Sequence, residues 1–138
     1  MRGFTLNEIL IVVGIFVIIV GGVIIAIDPA KRFTDSRNSE RKQEVTAIVN
    51  ALNQWSLDTG TYLPAGVSAT QKCIGTDSGC YSLSFLSPAY LDQIPEDPKS
   101  TAGQSDTGYS IIRDPSAATI TISAPLAESG EVIQVMRK

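Results

Sequence analysis

The sequence predicts an α+β protein in which one long N-terminal helix, apolar and then amphipathic, packs on a small C-terminal antiparallel sheet of about three strands. An uncharged apolar run covers Ile9 to Ile27, and a helical repeat of apolar residues continues as far as Trp55. Three segments with strand character lie between Gly108 and Arg137. We therefore divide the chain into residues 1–3, 4–27, 28–59 and 60–138, the last being a globular head.

Composition excludes several classes of function. The 138 residues carry a net charge of −3, which gives no reason to expect a specific nucleic-acid partner. The chain has no histidine, so a Ser-His-Asp triad and a histidine-ligated metal site are both ruled out. It also lacks the glycine patterns that bind phosphates or dinucleotides. We expect a protein that is not an enzyme and needs no cofactor.

The apolar run is long enough to cross a membrane. As a helix, its residues would rise about 28 Å, close to the thickness of the hydrocarbon core of a bilayer. The run ends Ala26-Ile27-Asp28-Pro29, which is a poor signal-peptidase site, so a single-pass anchor fits better than a signal peptide. Arg2 supplies the positive charge that keeps the N-terminus inside. Glu8 lies at the edge of the run, where snorkelling to the interface is its simplest explanation.

The segment Gly3-Phe4-Thr5-Leu6-Asn7-Glu8-Ile9-Leu10 resembles the start of type IV pilins and pseudopilins. Their pattern is a glycine, then Phe-Thr-Leu-x-Glu, then a long apolar helix. The resemblance implies a three-residue leader that a prepilin peptidase removes between Gly3 and Phe4. Phe4 would then be the N-methylated first residue of the mature chain, and Glu8 its fifth. Asn7 departs from the pattern, because that position is usually apolar.

The same resemblance implies a role for Glu8. When subunits pack into a filament, the Glu8 carboxylate of one could neutralise the Phe4 ammonium of another, which fixes the register between them. The implied partners are further copies of the chain, minor pilins, the prepilin peptidase, an assembly ATPase, an inner-membrane platform protein and membrane lipid before assembly. The head would lie outside the cytoplasm, first on a membrane precursor and then on an extracellular or periplasmic filament.

Two features interrupt the long helix. Asp28-Pro29 and the upstream Gly21-Gly22 both weaken helical order, so we expect a bent helix that loosens between Gly21 and Pro29. The alternative is a helix that ends at Asp28 and restarts with proline in its first turn. The run from Ala30 to Glu44 carries many charges of both signs and is typical of a solvated helical face.

An apolar stripe then continues the helix and should face the core of the head. Trp55 belongs to this stripe, and packing in the core is favoured over ligand stacking for it. Gly60 is expected to end the helix as its left-handed cap. The stripe consists of Val45, Ile48, Val49, Leu52 and Trp55.

Cys73 and Cys80 predict one small disulfide, with two reduced, buried thiols as the alternative. The enclosed segment is rich in turn-forming residues, which suits an exposed hairpin-like tip better than the core. Glu96, Asp97 and Asp106 flank the loop from Lys99 to Thr107, and they are weak candidate ligands because some pseudopilins bind calcium in such a loop. A solvated loop is the favoured interpretation, because calcium needs six to eight oxygens and no EF-hand spacing is present.

The sequence of the rest of the head predicts three strands, 108–113, 118–124 and 132–137. Turns at Asp114-Pro115-Ser116 and Glu128-Ser129-Gly130-Glu131 should join them. The segment Tyr90 to Pro98 resembles the Tyr-Leu…Pro-x-Asp-Pro stretch of pseudopilins and small pilins, but Lys99-Ser100 replaces the Trp-Gly of the major pseudopilin. We therefore favour a pilus subunit for adhesion, motility or DNA uptake. A type II secretion pseudopilin and a membrane-anchored binding module are the alternatives.

Overall fold

The computed structural model describes residues 3–26 and 28–138. Met1 and Arg2 of the expected leader, and Ile27 at the expected end of the apolar run, lie outside the described residues. The chain divides into two compact units, Met1–Thr34 and Asp35–Lys138. The larger unit contains the head together with most of the second helix.

The N-terminal half forms two helices, α1 (Leu6–Ala26) and α2 (Pro29–Thr59). The helix α1 continues through Gly21 and Gly22 and ends at Ala26, so in the expected interval from Gly21 to Pro29 the two glycines remain helical. Asp28 caps α2, because its Oδ1 atom accepts a hydrogen bond of 3.3 Å from the backbone N–H of Lys31. Pro29 occupies the first helical position, where its missing N–H leaves nothing unpaired. The alternative of a helix that restarts at Pro29 is therefore confirmed.

The predicted apolar stripe of α2 forms one wall of the core in the larger unit. Val45, Ile48 and Leu52 are completely buried there. Trp55 is half-buried at the edge of the same core, and its ring centroid lies 5.0 Å from that of Phe85. Gly60 follows the helix with φ of +65°, as a left-handed cap requires.

The other wall of the core is a four-stranded antiparallel sheet in the order β1-β2-β3-β4. Three strands were predicted, with bounds that differ by one or two residues. The edge strand β1 was not, because two residues are too short to show an alternating pattern. The strands are β1 (Lys72–Cys73), β2 (Ser110–Asp114), β3 (Thr119–Ser123) and β4 (Gln134–Arg137).

Both predicted turns join the last three strands. Asp114 Oδ1 accepts a hydrogen bond of 2.8 Å from the backbone N–H of Ser116, which closes the turn between β2 and β3. Before β4, the backbone N–H of Glu131 donates to the carbonyl oxygen of Glu128 at 3.2 Å. The second turn places the Glu128 side chain against α2, as described below.

Candidate functional site

The N-terminus of α1 carries a capping box formed by Thr5 and Glu8. The backbone N–H of Glu8 donates to Thr5 Oγ1 at 3.3 Å, and the backbone N–H of Thr5 donates to Glu8 Oε2 at 3.1 Å. Each side chain thus accepts from an amide donor at the start of the helix, where the Glu8 N–H also donates to the Thr5 carbonyl oxygen at 3.1 Å. Our sequence reasoning missed this local role of Glu8. The spacing Thr-x-x-Glu before an apolar run is the signal that could have found it.

The residues before the capping box lie outside the helix. Gly3, Phe4 and Thr5 have no regular secondary structure, and the Phe4 side chain is 80% exposed. The peptide bond between Gly3 and Phe4 is therefore not part of a helical hydrogen-bond ladder. The Glu8 carboxylate stands in the first turn, where the positive end of the helix dipole favours a negative charge.

The apolar surface of α1 is uncovered in the single chain. The window from Leu6 to Val23 has a mean hydropathy of 2.5, and none of it is buried. By length and composition this helix could cross a membrane, although a signal sequence has the same properties. Such a surface requires other apolar material, either lipid or protein, to cover it.

The larger unit contains a buried ion pair between α2 and the loop after Pro95. Arg41 Nε lies 2.6 Å from Asp97 Oδ2, and Arg41 Nη2 lies 3.0 Å from Asp97 Oδ1. Both side chains are completely buried. Arg41 Nη1 also donates to Asn38 Oδ1 at 2.8 Å. Such a two-pronged geometry uses the planar guanidinium fully and holds the loop in one orientation on the helix.

Glu128 extends this pair into a network that includes the turn before β4. Arg37 Nε lies 2.6 Å from Glu128 Oε2, and Lys99 Nζ lies 2.5 Å from Glu128 Oε1. The hydrogen bonds from Arg37 and then Lys99 hold the pKa of Glu128 well below its usual value. The backbone N–H of Glu128 also donates to Asn38 Oδ1. One helix face therefore binds two segments that are far away in the sequence.

The charged run was expected to form a solvated helical face, and for Asn38 and Arg41 this expectation is wrong. Asn38 and Arg41 are 3% and 0% exposed. A signal was present in the spacing, because positions 38, 41, 45, 48 and 52 continue one helical stripe with steps of three and four. Asn38 and Arg41 lie on the same face of α2 as the apolar stripe that the sequence assigned to the core.

A second polar contact joins α2 to the segment that enters β2. The Tyr109 hydroxyl donates to Glu44 Oε2, and Tyr109 is 1% exposed. Burial raises the pKa of the Glu44 carboxyl, while the bond from Tyr109 opposes that rise. Burial also raises the pKa of the Tyr109 phenol, so it remains a donor at neutral pH.

The three calcium candidates lie in separate hydrogen-bonded settings. Both carboxylate oxygens of Asp97 are engaged by Arg41. Glu96 Oε1 accepts from Gln104 Nε2 at 2.6 Å, and Asp106 Oδ1 accepts from the backbone N–H of Gly108 at 3.0 Å. Within residues 3–26 and 28–138, the group of three such side chains whose ligand atoms lie within 4.8 Å of one another is instead Cys73, Cys80 and Asp106. The two sulfurs of that group are already bonded to each other.

The predicted disulfide between Cys73 and Cys80 is confirmed. Four of the six enclosed residues, 76–79, are exposed, so the expected hairpin-like tip describes this part of the segment but not its first two residues. Ile74 is completely buried, and a Cβ atom on Gly75 would lie 2.2 Å from the carbonyl oxygen of Ser105. The base of the loop is thus packed tightly against the turn that contains Ser105.

Comparisons of this chain with known protein families, with curated proteins and with solved structures find no match.

Proposed function

We propose that this chain is a structural subunit of a type IV pilus-like filament, processed after Gly3 and assembled through α1. The observation that carries the proposal is the combination of the motif from Gly3 to Glu8 with the uncovered apolar helix that follows it. Lipid would cover this surface before assembly, and copies of the same helix would cover it afterwards. The backbone around Gly3 and Phe4 lies outside the helix, which supports cleavage there because no helical hydrogen bonds have to break before a peptidase reaches this bond.

Glu8 has two functions in this proposal. In the free chain it caps α1 together with Thr5, which keeps its charge beside the helix N-terminus. After cleavage, Phe4 would carry an ammonium, and the Glu8 carboxylate of a neighbouring subunit would neutralise it. A charge without this partner is costly in a low-dielectric filament, so the pair selects one register.

The first test is the mass of the N-terminal peptide from chain made in a host with prepilin peptidase and a pilus assembly machinery. We expect a peptide that begins at Phe4 and carries one added methyl group. A peptide that still begins at Met1 or Arg2 would contradict processing and would leave a membrane-anchored module.

Three variants separate the charge of Glu8 from its cap. Glu8→Gln keeps a side chain that can complete a capping box but removes the charge, so we expect an intact helix and few or no filaments. Thr5→Ala removes the cap from the other side and keeps the charge, so filaments should persist. Glu8→Val removes both and should match Glu8→Gln in filament yield. Normal filaments from Glu8→Gln would refute the role of the charge.

A further inference from the structure

One row of the sheet carries two arginines on the side that faces the core. Arg113 on β2 pairs with Ile120 on β3, and Ile120 pairs with Arg137 on β4. Side chains alternate along a strand, so these three residues share a face with Ile111 and Ile122. Those two isoleucines and Ile120 are at most 1% exposed. The row therefore places two guanidinium groups on the apolar side of the sheet.

Arg137 is buried and has no anionic partner among residues 3–26 and 28–138. The residue is 6% exposed, and its Nε and Nη1 atoms are buried with no hydrogen bond. Arg113 Nε is likewise buried with no hydrogen bond among the described residues. In the described part of the chain, the ion pairs involve the cations Arg37, Arg41, Lys42 and Lys99 instead.

An unpaired guanidinium in this position is costly. Burial lowers the pKa of Arg137. The group still remains charged, because an arginine does not lose its proton near neutral pH. Buried charges in proteins are ordinarily paired, so the missing anion is expected from outside the described contacts.

The Arg137 guanidinium lies over the ring of Tyr62. The ring centroid lies 5.6 Å from Arg137 Cζ, and the Tyr62 side chain is 53% exposed. Such a cation–π contact stabilises the charge but provides no hydrogen-bond acceptor in the plane of the N–H groups. The edge formed by Nε and Nη2 has the geometry that binds two oxygens of one anion. Of these two atoms, Nε is buried without a partner, whereas Nη2 is not in that group. An anion would therefore approach the guanidinium from the side of Nη2.

We propose that Arg137 anchors an oxyanion-binding site on the head, which takes a carboxylate or phosphate group along its Nε–Nη2 edge beside the Tyr62 ring. Arg113, two strands away on the same row, adds positive potential. The anion is either a free small molecule or a carboxylate from a second copy of this chain. The site lies within the larger unit, so this proposal does not depend on the filament assignment.

The test uses the full chain in a non-ionic detergent, at low ionic strength and without other oxyanions. Inorganic phosphate and acetate are titrated while the Arg137 Nε–H resonance is followed by NMR and the unfolding temperature is recorded. We expect a saturable shift of that resonance and a higher unfolding temperature, with chloride at equal ionic strength causing neither. Arg137→Gln should weaken phosphate binding by at least about tenfold, because two charge-assisted hydrogen bonds are lost.

Matched variants keep the test specific. Lys72→Gln removes one exposed positive charge from β1 and should leave phosphate binding unchanged. Tyr62→Leu removes the ring from an exposed position and should weaken binding several-fold, which gives a second variant if Arg137→Gln fails to fold. Equal losses in Lys72→Gln and Arg137→Gln would indicate general charge screening and would overturn the site.

Dilution distinguishes the two sources of the anion. If a second copy supplies the carboxylate, the Arg137 Nε–H shift will depend on protein concentration without added anion, and phosphate will compete with self-association. If the anion is free, phosphate will act equally at all protein concentrations. No response of the resonance to phosphate, acetate or protein concentration, together with an Arg137→Met variant as stable as the original chain, would refute the proposal.

Discussion

Removal of Arg41 tests the buried network most directly. Arg41→Met preserves most of the side-chain volume but leaves the completely buried Asp97 carboxylate without its cation. Breaking a buried ion pair from one side costs about 3–5 kcal/mol. For a unit of this size, we expect a fall of more than about 10 °C in the unfolding temperature.

The hydrogen bonds predict an order among the variants. Asp97→Asn should cost less than Arg41→Met, because Arg41 keeps Asn38 Oδ1 at 2.8 Å and Glu128 Oε2 at 3.3 Å. After Arg41→Met, Asp97 retains the N–H of Lys99 at 2.8 Å but no charged partner in the described contacts. The double variant Arg41→Met/Asp97→Leu should be more stable than the two single effects added together, by about 0.5–3 kcal/mol.

The assay is equilibrium unfolding of the full chain in urea with non-ionic detergent, followed by fluorescence of Trp55, the only tryptophan. Lys42→Met is the matched control. It removes the neighbouring cation, whose ion pair with Glu131 is exposed, and should cost at most about 1 kcal/mol. A loss below about 1 kcal/mol for Arg41→Met, or equal losses for the two variants, would refute the reasoning.

Two further predictions concern the head. Gly75→Ala should lower the unfolding temperature by several degrees, because the new Cβ would lie 2.2 Å from the carbonyl oxygen of Ser105. A Cβ on Gly79 would have no atom within 4 Å, so Gly79→Ala should be neutral, and equal effects would contradict the packing at the base of the disulfide loop. Because the pKa of Glu128 is lowered in the folded chain, its contribution to stability is complete above the ordinary glutamate value of 4.5 and is lost as the pH falls below it. Glu128→Gln should therefore be less stable than the original chain at pH 7 and approach it toward pH 3 in urea unfolding, and a constant difference would count against the network.

Local sequence patterns predicted most of the secondary structure. The stripe from Val45 to Trp55, the glycine after α2 and the last three strands all depend on residues that are near each other in the chain. The disulfide was also predicted, since Cys73 and Cys80 had no competing partners. The capping box of α1 also depends on local spacing, so it could have been predicted from the sequence.

The burial of charged residues is a different case. Alternation along β4 puts Arg137 on the same face as Val135, but this pattern says nothing about a missing counter-ion. Arg41 lies on the stripe that reaches the core, yet its type favoured a solvated assignment. In both cases the sequence showed on which face the side chain lies, but not which groups surround it.

The sequence by itself therefore determined the apolar helix, the motif from Gly3 to Glu8, the amphipathic stripe and the positions of the last three strands, because each depends on spacing over a few residues. Only the tertiary structure decided which charges are buried and what they bind. Arg41 meets Asp97 across 56 residues, and Arg37 meets Glu128 across 91. The pKa of a charge depends on its neighbours in space, and those neighbours are set only when the chain has folded.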